Sequence, residues 1–374
     1  MIKGETMDEK LLEKYAKVLV NYSTKVKEND IVIIRMESEK ARPLAKEIYK
    51  ECLLQGAYPI IRLSIPEAQE YFIKYANEKQ LAYVDPMTKL EYETANVMIS
   101  LGAPLNVKHM AKADSKKMGE RSKATRPLSE LLLNRSAKGE LNWVIADYPT
   151  DALAQEAKMS LEEYTEFLIK GCYLNEDDPV QKWVDKGVEQ QRIADYLNKT
   201  TKIRYKGEKT DITFSTEGRT WISCAGLNNF PDGEIFTSPV EDSANGEIYF
   251  DYPAIYRGNE SNKIHLKLEN GKVVYAKAEQ GDEFFQNMIN LDEGAKFVGE
   301  IAIGTNDNIQ DITGNILFDE KIGGAIHMAL GASYPETGGK NVSGLHWDLI
   351  KNMKNGGEIY ADDKLIYQNG KFLI

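Results

Sequence analysis

The chain has 374 residues, 42% of them apolar, and its 58 acidic against 47 basic side chains give a formal charge of −11. That length exceeds what one hydrophobic core usually supports, so two domains are expected, and 20 tyrosines with 11 phenylalanines argue against disorder. The acidic balance would repel a phosphate backbone and excludes a general nucleic-acid binder.

Met7–Val26 places Leu11, Leu12, Tyr15, Val18, Leu19 and Tyr22 at helical spacing, a charged amphipathic pattern unlike the apolar centre of a signal peptide. Asp30–Arg35 is a short run of β-branched residues and reads as a buried strand. Ala41–Leu54 is helical, with Gly56 just past its end where a left-handed residue is often required. Tyr58–Leu63 is a second strand, Glu67–Asn77 a helix, and Ala95–Leu101 and Leu141–Ala146 are further buried strands. Lys108–Arg126 is the main basic stretch, but Asp114 and Glu120 interrupt it and it reads as a solvated helix or loop, with His109 on the surface. Strands alternating with helices imply crossover connections, so this half is expected to be α/β with a mostly parallel sheet.

Leu161–Leu174 and Pro179–Leu197 are helical; from about Lys202 the texture changes to short β-rich runs. Thr201–Tyr205, Thr210–Phe214, Gly246–Phe250, Ile264–Leu268 and Lys272–Ala276 read as strands, with Glu269-Asn-Gly271 as a tight hairpin turn. Helices are expected at Asp282–Ile289 and near His327. The predicted organisation is an α/β N-terminal domain over 1–200 and a β-rich α+β C-terminal domain over 201–374. Cys52, Cys172 and Cys224 are widely spaced and odd in number, which fits neither a disulfide framework nor a thiolate zinc site. No stretch approaches the roughly 20 apolar residues of a membrane span, and a cytoplasmic protein is expected.

Four histidines are present. His265 sits mid-strand with a solvent-facing pattern, whereas His327 and His346 are embedded in apolar runs. His346-Trp-Asp348 places an imidazole and a carboxylate two residues apart, on one face if the segment is a strand. Glu300, in Phe297–Ile303, and Glu234, in Asp232–Phe236, are carboxylates set among apolar residues, where an isolated charge is costly unless paired or bound to a cation. A shared cation is one reading; satisfied core histidines beside surface acids are the other.

Gly233–Pro239, Leu317–Glu320, His327–Gly331 and His346–Asp348 together resemble the aminopeptidase T family of thermophilic-type metalloaminopeptidases. Asn270–Val274, Glu279–Glu283, Asp292–Ala295 and Val298–Ala302 follow in the family's order. The likeness is strong over Phe230–Ile374 and general in layout before it. It implies two divalent metal ions, zinc or cobalt with manganese as the alternative, held by Glu234, Glu300, His327, His346 and Asp348 with Glu320 as a further ligand. The Glu320-to-His327 interval is longer than in the family's type members, which leaves Glu320 open as a ligand, a supporting group or a general base. Glu300 is suited to bridge two ions, and Tyr334 matches a tyrosine beside the reacting carbonyl. The expected activity is removal of N-terminal residues from peptides with a free N-terminus, by a water that two metal ions activate. A homodimer is implied as well. An amidase acting on other small amides, or a metal- or peptide-binding protein without turnover, are the competing readings.

Overall fold

A computed structural model describes residues 7–374, and the chain divides into two compact units. One runs up to Trp183 and takes in Gly226–Pro231; the other comprises Val184–Ala225 and Asp232–Ile374.

The first unit is α/β. Strands β1 (Ile31–Met36), β2 (Tyr58–Leu63), β3 (Val97–Gly102) and β4 (Asn142–Asp147) pair in the order β2-β1-β3-β4, with Asn229–Phe230 added beside β4. Every pairing is parallel. Val32, Ile34, Val97, Ile99 and Val144 are fully buried or nearly so, which is the demand a parallel sheet covered by helices makes on its strands. The helices start where the sequence supplies caps. Asp114 accepts from Lys116 N and Lys117 N to open Ser115–Ala137, and Ser160 and Glu163 form a reciprocal box at Leu161–Gly171. Ser115–Ala137 buries only Leu128, so the basic stretch is indeed a solvated helix over most of its length. The N-terminal helix departs from the expected span: it is α-helical over Glu9–Lys17 and widens to a π-helix over Val18–Ser23.

The second unit holds two antiparallel sheets. The larger, nine-stranded sheet includes Lys202–Gly207, Thr210–Ser215, Asn245–Phe250, Asn259–Glu269 and Lys272–Gln280. Its hairpin at Asn270-Gly271 has φ of 48° and 78°, the left-handed pair that the asparagine-glycine turn supplies. The smaller sheet is built from β5 (Ile222–Cys224), β6 (Glu234–Thr237), β7 (Val298–Gly304), β8 (Ala325–Gly331) and β9 (His346–Asn352), in the order β9-β8-β7-β6-β5.

One face of this smaller sheet is apolar. Ile235, Ile301, Ile303, Ile326, Met328, Leu330, Trp347 and Leu349 join the unit's main core, together with Phe214, Phe250 and Leu266 from the larger sheet. Trp347 stacks on Tyr256 with ring centroids 5.3 Å apart and meets Phe284 and Phe285 edge-on at 5.7 and 5.5 Å.

The helix expected near His327 is a strand instead. Every residue of β8 is buried, so the alternation of polar and apolar side chains that marks a strand is missing. The period of two survives only in size: Ile326, Met328 and Leu330 point one way, His327, Ala329 and Gly331 the other.

Candidate metal centre

The second face of the small sheet carries the donors. Strand pairing sets Glu300, Ala329 and Asp348 in one row across β7, β8 and β9. The adjacent row is Phe236, Ala302, His327 and Ile350, and beyond it Glu234 lies opposite Gly304. On the other side, Gly331 lies opposite His346. Because side chains two apart share a face, Glu234, Glu300, His327, His346 and Asp348 all project the same way. Ala302, Gly304, Ala329 and Gly331 occupy the positions between them and leave the space into which the longer donors lean.

Glu300 owes its aim to a bulge. The β7–β8 register slips between Val298 and Glu300, leaving Gly299 as the extra residue. A Cβ at Gly299 would lie 2.1 Å from the carbonyl oxygen of Ala332, so no larger residue fits there.

The resulting distances are short. His327 Nε2 lies 3.3 Å from Glu234 Oε2 and 3.5 Å from Glu300 Oε1. His346 Nε2 lies 3.3 Å from Glu300 Oε2 and 3.6 Å from Asp348 Oδ1. Glu320 follows the short helix Ile316–Asp319, and the structure brings it to the same place. Donor atoms of Glu234–Glu300–His327, of Glu300–His346–Asp348 and of Glu320–His327–Asp348 each lie within 4.8 Å of one another. All six sequence-derived ligand candidates therefore converge. Tyr334 joins them, its hydroxyl 3.4 Å from His346 Nε2 and its ring edge-on to His346 and Phe236.

The arrangement fits a divalent cation on three counts. His346 Nδ1 donates to Ala332 O at 2.8 Å, which fixes the ring's orientation and turns Nε2, the nitrogen that a cation would take in place of a proton, toward the carboxylates. Glu234 Oε2, Asp348 Oδ1 and His327 Nδ1 are buried and find no hydrogen-bond partner among the described residues. A cation satisfies such carboxylate oxygens, which otherwise carry the cost of desolvation. Finally, the carboxylates compete for positive charge. Burial pulls the His346 imidazolium down, yet Asp348 and Glu300 push its pKa up to about 12. Burial raises Asp348, but His346 brings it down to about 2. Glu234 is likewise raised by burial and lowered, by Lys321 and His327, to about 2. Burial and the nearby Glu234 and Asp348 push Glu320 up to about 8 despite Lys321.

Lys321 is the resident that the sequence reading missed. Its side chain is 0% exposed and its ammonium lies 2.6 Å from Glu234 Oε1, 2.7 Å from Glu320 Oε1 and 3.4 Å from Asp232 Oδ1. A signal was present: Asp319-Glu-Lys321 is a charged triplet between the apolar runs Ile316–Phe318 and Ile322–Ile326. Asp319 holds that turn in place by accepting from Thr313 N and Oγ1 and from Gly314 N at 2.8, 2.8 and 2.9 Å. The remaining histidines lie elsewhere. His265 Nε2 is 3.1 Å from Glu247 on the larger sheet, and His109, half-buried rather than on the open surface, has Nδ1 2.8 Å from Asn106 O.

Buried carboxylates and oriented imidazoles on one sheet face define the class: a metal-dependent enzyme. The chain belongs to the thermophilic metalloprotease (M29) family, whose model matches residues 8–372. It is 28% identical to Aminopeptidase 2 of Geobacillus stearothermophilus over 357 residues, covering 87% of this chain and 84% of the relative. It is 26% identical to Aminopeptidase PepS of Streptococcus thermophilus over 97% of this chain and 98% of that one. The solved structure of wild-type AmpT from Thermus thermophilus shares the fold, with a TM-score of 0.84 at 21% identity over 98% of this chain and all of that chain.

Proposed function

We propose that this peptidase is an aminopeptidase that removes N-terminal residues from peptides, using two divalent cations held by Glu234, Glu300, Glu320, His327, His346 and Asp348. One observation carries the two-ion reading: the two oxygens of Glu300 face different imidazoles, Oε1 toward His327 and Oε2 toward His346. A carboxylate placed in this way can serve two ions at once. Zinc and cobalt suit the imidazoles, and the majority of oxygen donors also accommodates manganese. When bound, such cations polarise a carbonyl and make water acidic enough to act near neutral pH.

The protein's own groups account for the rest. Burial, with Glu300 and Asp348 nearby, pushes the Tyr334 phenol well above its ordinary range, so it keeps its proton and serves as a hydrogen-bond donor. Beside His346 it would meet the carbonyl oxygen as charge develops there; a well-placed donor of this kind is worth about 2.7–4 kcal/mol. The surplus of carboxylates favours a substrate that brings a free α-amino group over an acylated one. Relatives named aminopeptidases support the same restriction. The reading extends to a cytoplasmic setting, supported by three unpaired cysteines, and to a homodimer, supported by the family resemblance. It also takes the β-rich second unit as the catalytic domain.

The test is hydrolysis of leucine p-nitroanilide before and after chelation, and with the amine acetylated. Turnover should vanish on chelation, return with zinc or cobalt, and be absent for the acetylated compound. Equal cleavage of the acetylated compound would make the enzyme an amidase of another kind, and full activity after chelation would end the metal reading.

A further inference from the structure

The six donors are not equivalent, because one half of the site already contains a cation. Lys321 is fully buried, and its ammonium has three protons to donate and three carboxylates around it: Glu234, Glu320 and Asp232. Among the described residues it makes no ion pair with Glu300, His346 or Asp348. The two halves therefore differ in a way that has nothing to do with ligand count. Glu300, His346 and Asp348 offer two carboxylates and an imidazole with no ammonium in contact, Lys321 reaching Asp348 only as a weaker through-space charge. Glu234 and Glu320 offer carboxylates whose Oε1 atoms are already in contact with an ammonium.

Lys321 cannot step aside easily. It follows a short helix whose C-terminal turn is stapled through Asp319 to Thr313 and Gly314, and its backbone N–H donates to Phe318 O. It is also 0% exposed, so no path to water is open without moving the groups packed around it.

We propose that Lys321 is a built-in counter-cation that makes the two metal positions unequal: the ion on Glu300, His346 and Asp348 binds tightly, while the ion drawing on Glu234 and Glu320 is weak and exchangeable. The inference rests on the two-ion reading above and deepens it. A second dication must share those carboxylates with the ammonium and sit close to a like charge. A neighbouring charge at such range shifts the proton affinity of a group by about one to three powers of ten, and a dication feels it at least as strongly. The weak position would exchange with the metal content of the medium, so occupancy, and with it activity, would follow free metal concentration.

The experiment is a zinc titration of metal-stripped protein against a competing chromophoric chelator, with ions per chain counted by mass spectrometry. Wild type should bind one zinc ion at least about tenfold more tightly than the second. Lys321→Met should tighten the second step by about tenfold or more and move the first by less than about threefold, and Lys321→Arg should keep the gap. Because Lys321→Met leaves three carboxylates without their ammonium partner and could fail to fold, wild-type crystals soaked with one equivalent and with excess zinc give an independent reading at the zinc edge. One equivalent should place the ion on Glu300, His346 and Asp348, and only excess should fill the other position. Two equal steps in wild type, a folded Lys321→Met unchanged in both, or first-equivalent zinc on Glu234 and Glu320 would each overturn the inference and leave the metallopeptidase reading standing. Absence of any zinc binding would end both.

Discussion

The two faces of the small sheet in the second unit are made by the same five strands and obey opposite rules. The apolar face is built almost entirely of hydrocarbon: Ile301, Ile326, Met328 and Leu349 pack into the core, and Trp347 joins them with its indole N–H left without a partner. The opposite face buries Glu234, Glu300 and His327 almost as deeply, at 6%, 3% and 1% exposure, yet leaves polar atoms without partners. Burial at these three positions approaches that of the apolar face, while His346 and Asp348 beside them are half-buried; what differs is that the site face buries ionisable groups. The difference teaches that the first face serves folding, and that the second, on the function proposed above, is completed by a cation.

That contrast can be broken from either side. The largest effect on activity should come from Glu300→Ala or His346→Ala, which remove a donor at the centre of the constellation. Both should reduce leucine p-nitroanilide turnover to background while circular dichroism stays near wild type. Normal turnover in folded protein would remove them from the centre. Trp347→Ala attacks the other face, and its loss from an aromatic cluster should destabilise the second unit by about 3–5 kcal/mol in chemical denaturation. Cation removal sharpens the contrast: with ion present at a hundred times its dissociation constant, chelation should cost about 2.7 kcal/mol of stability, read as a fall in melting temperature. An unchanged melting curve would mean that the site face needs no ion. Tyr334→Phe should lower kcat by about a hundredfold or more, with KM little changed, if its hydroxyl meets the developing oxyanion. The smallest effect should be Ile326→Val, a core trim beside His327 worth about 0.5–1.5 kcal/mol and silent in metal binding.

Much of the first unit was legible because its signals are local. β-branched runs of five or six residues, separated by helical spacing and by caps such as Asp114 and Ser160, announce themselves within a short window. The Asn270-Gly271 hairpin and the helix Asp282–Ile289 were readable for the same reason. The site was legible only in part. Carboxylates in apolar surroundings at Glu234 and Glu300, and the spacing of His346 and Asp348, mark candidates, but their meeting depends on strand order and register, which are not local properties. Strand β8 was misread because both of its faces are buried, so the pattern that distinguishes strand from helix is erased. Lys321 was missed because a lysine next to acids reads as solvated surface, and only the turn after Ile316–Asp319 drives it inward.

The tripeptide His346-Trp347-Asp348 ties two fates together. Its outer members point at the chemistry and its middle member is a keystone of the core, so neither can shift without pulling on the other. Warming that loosens the aromatic cluster should therefore silence the enzyme at once. Heat inactivation and the loss of the tryptophan near-ultraviolet signal are expected to follow a single curve, with no active but loosened species between them.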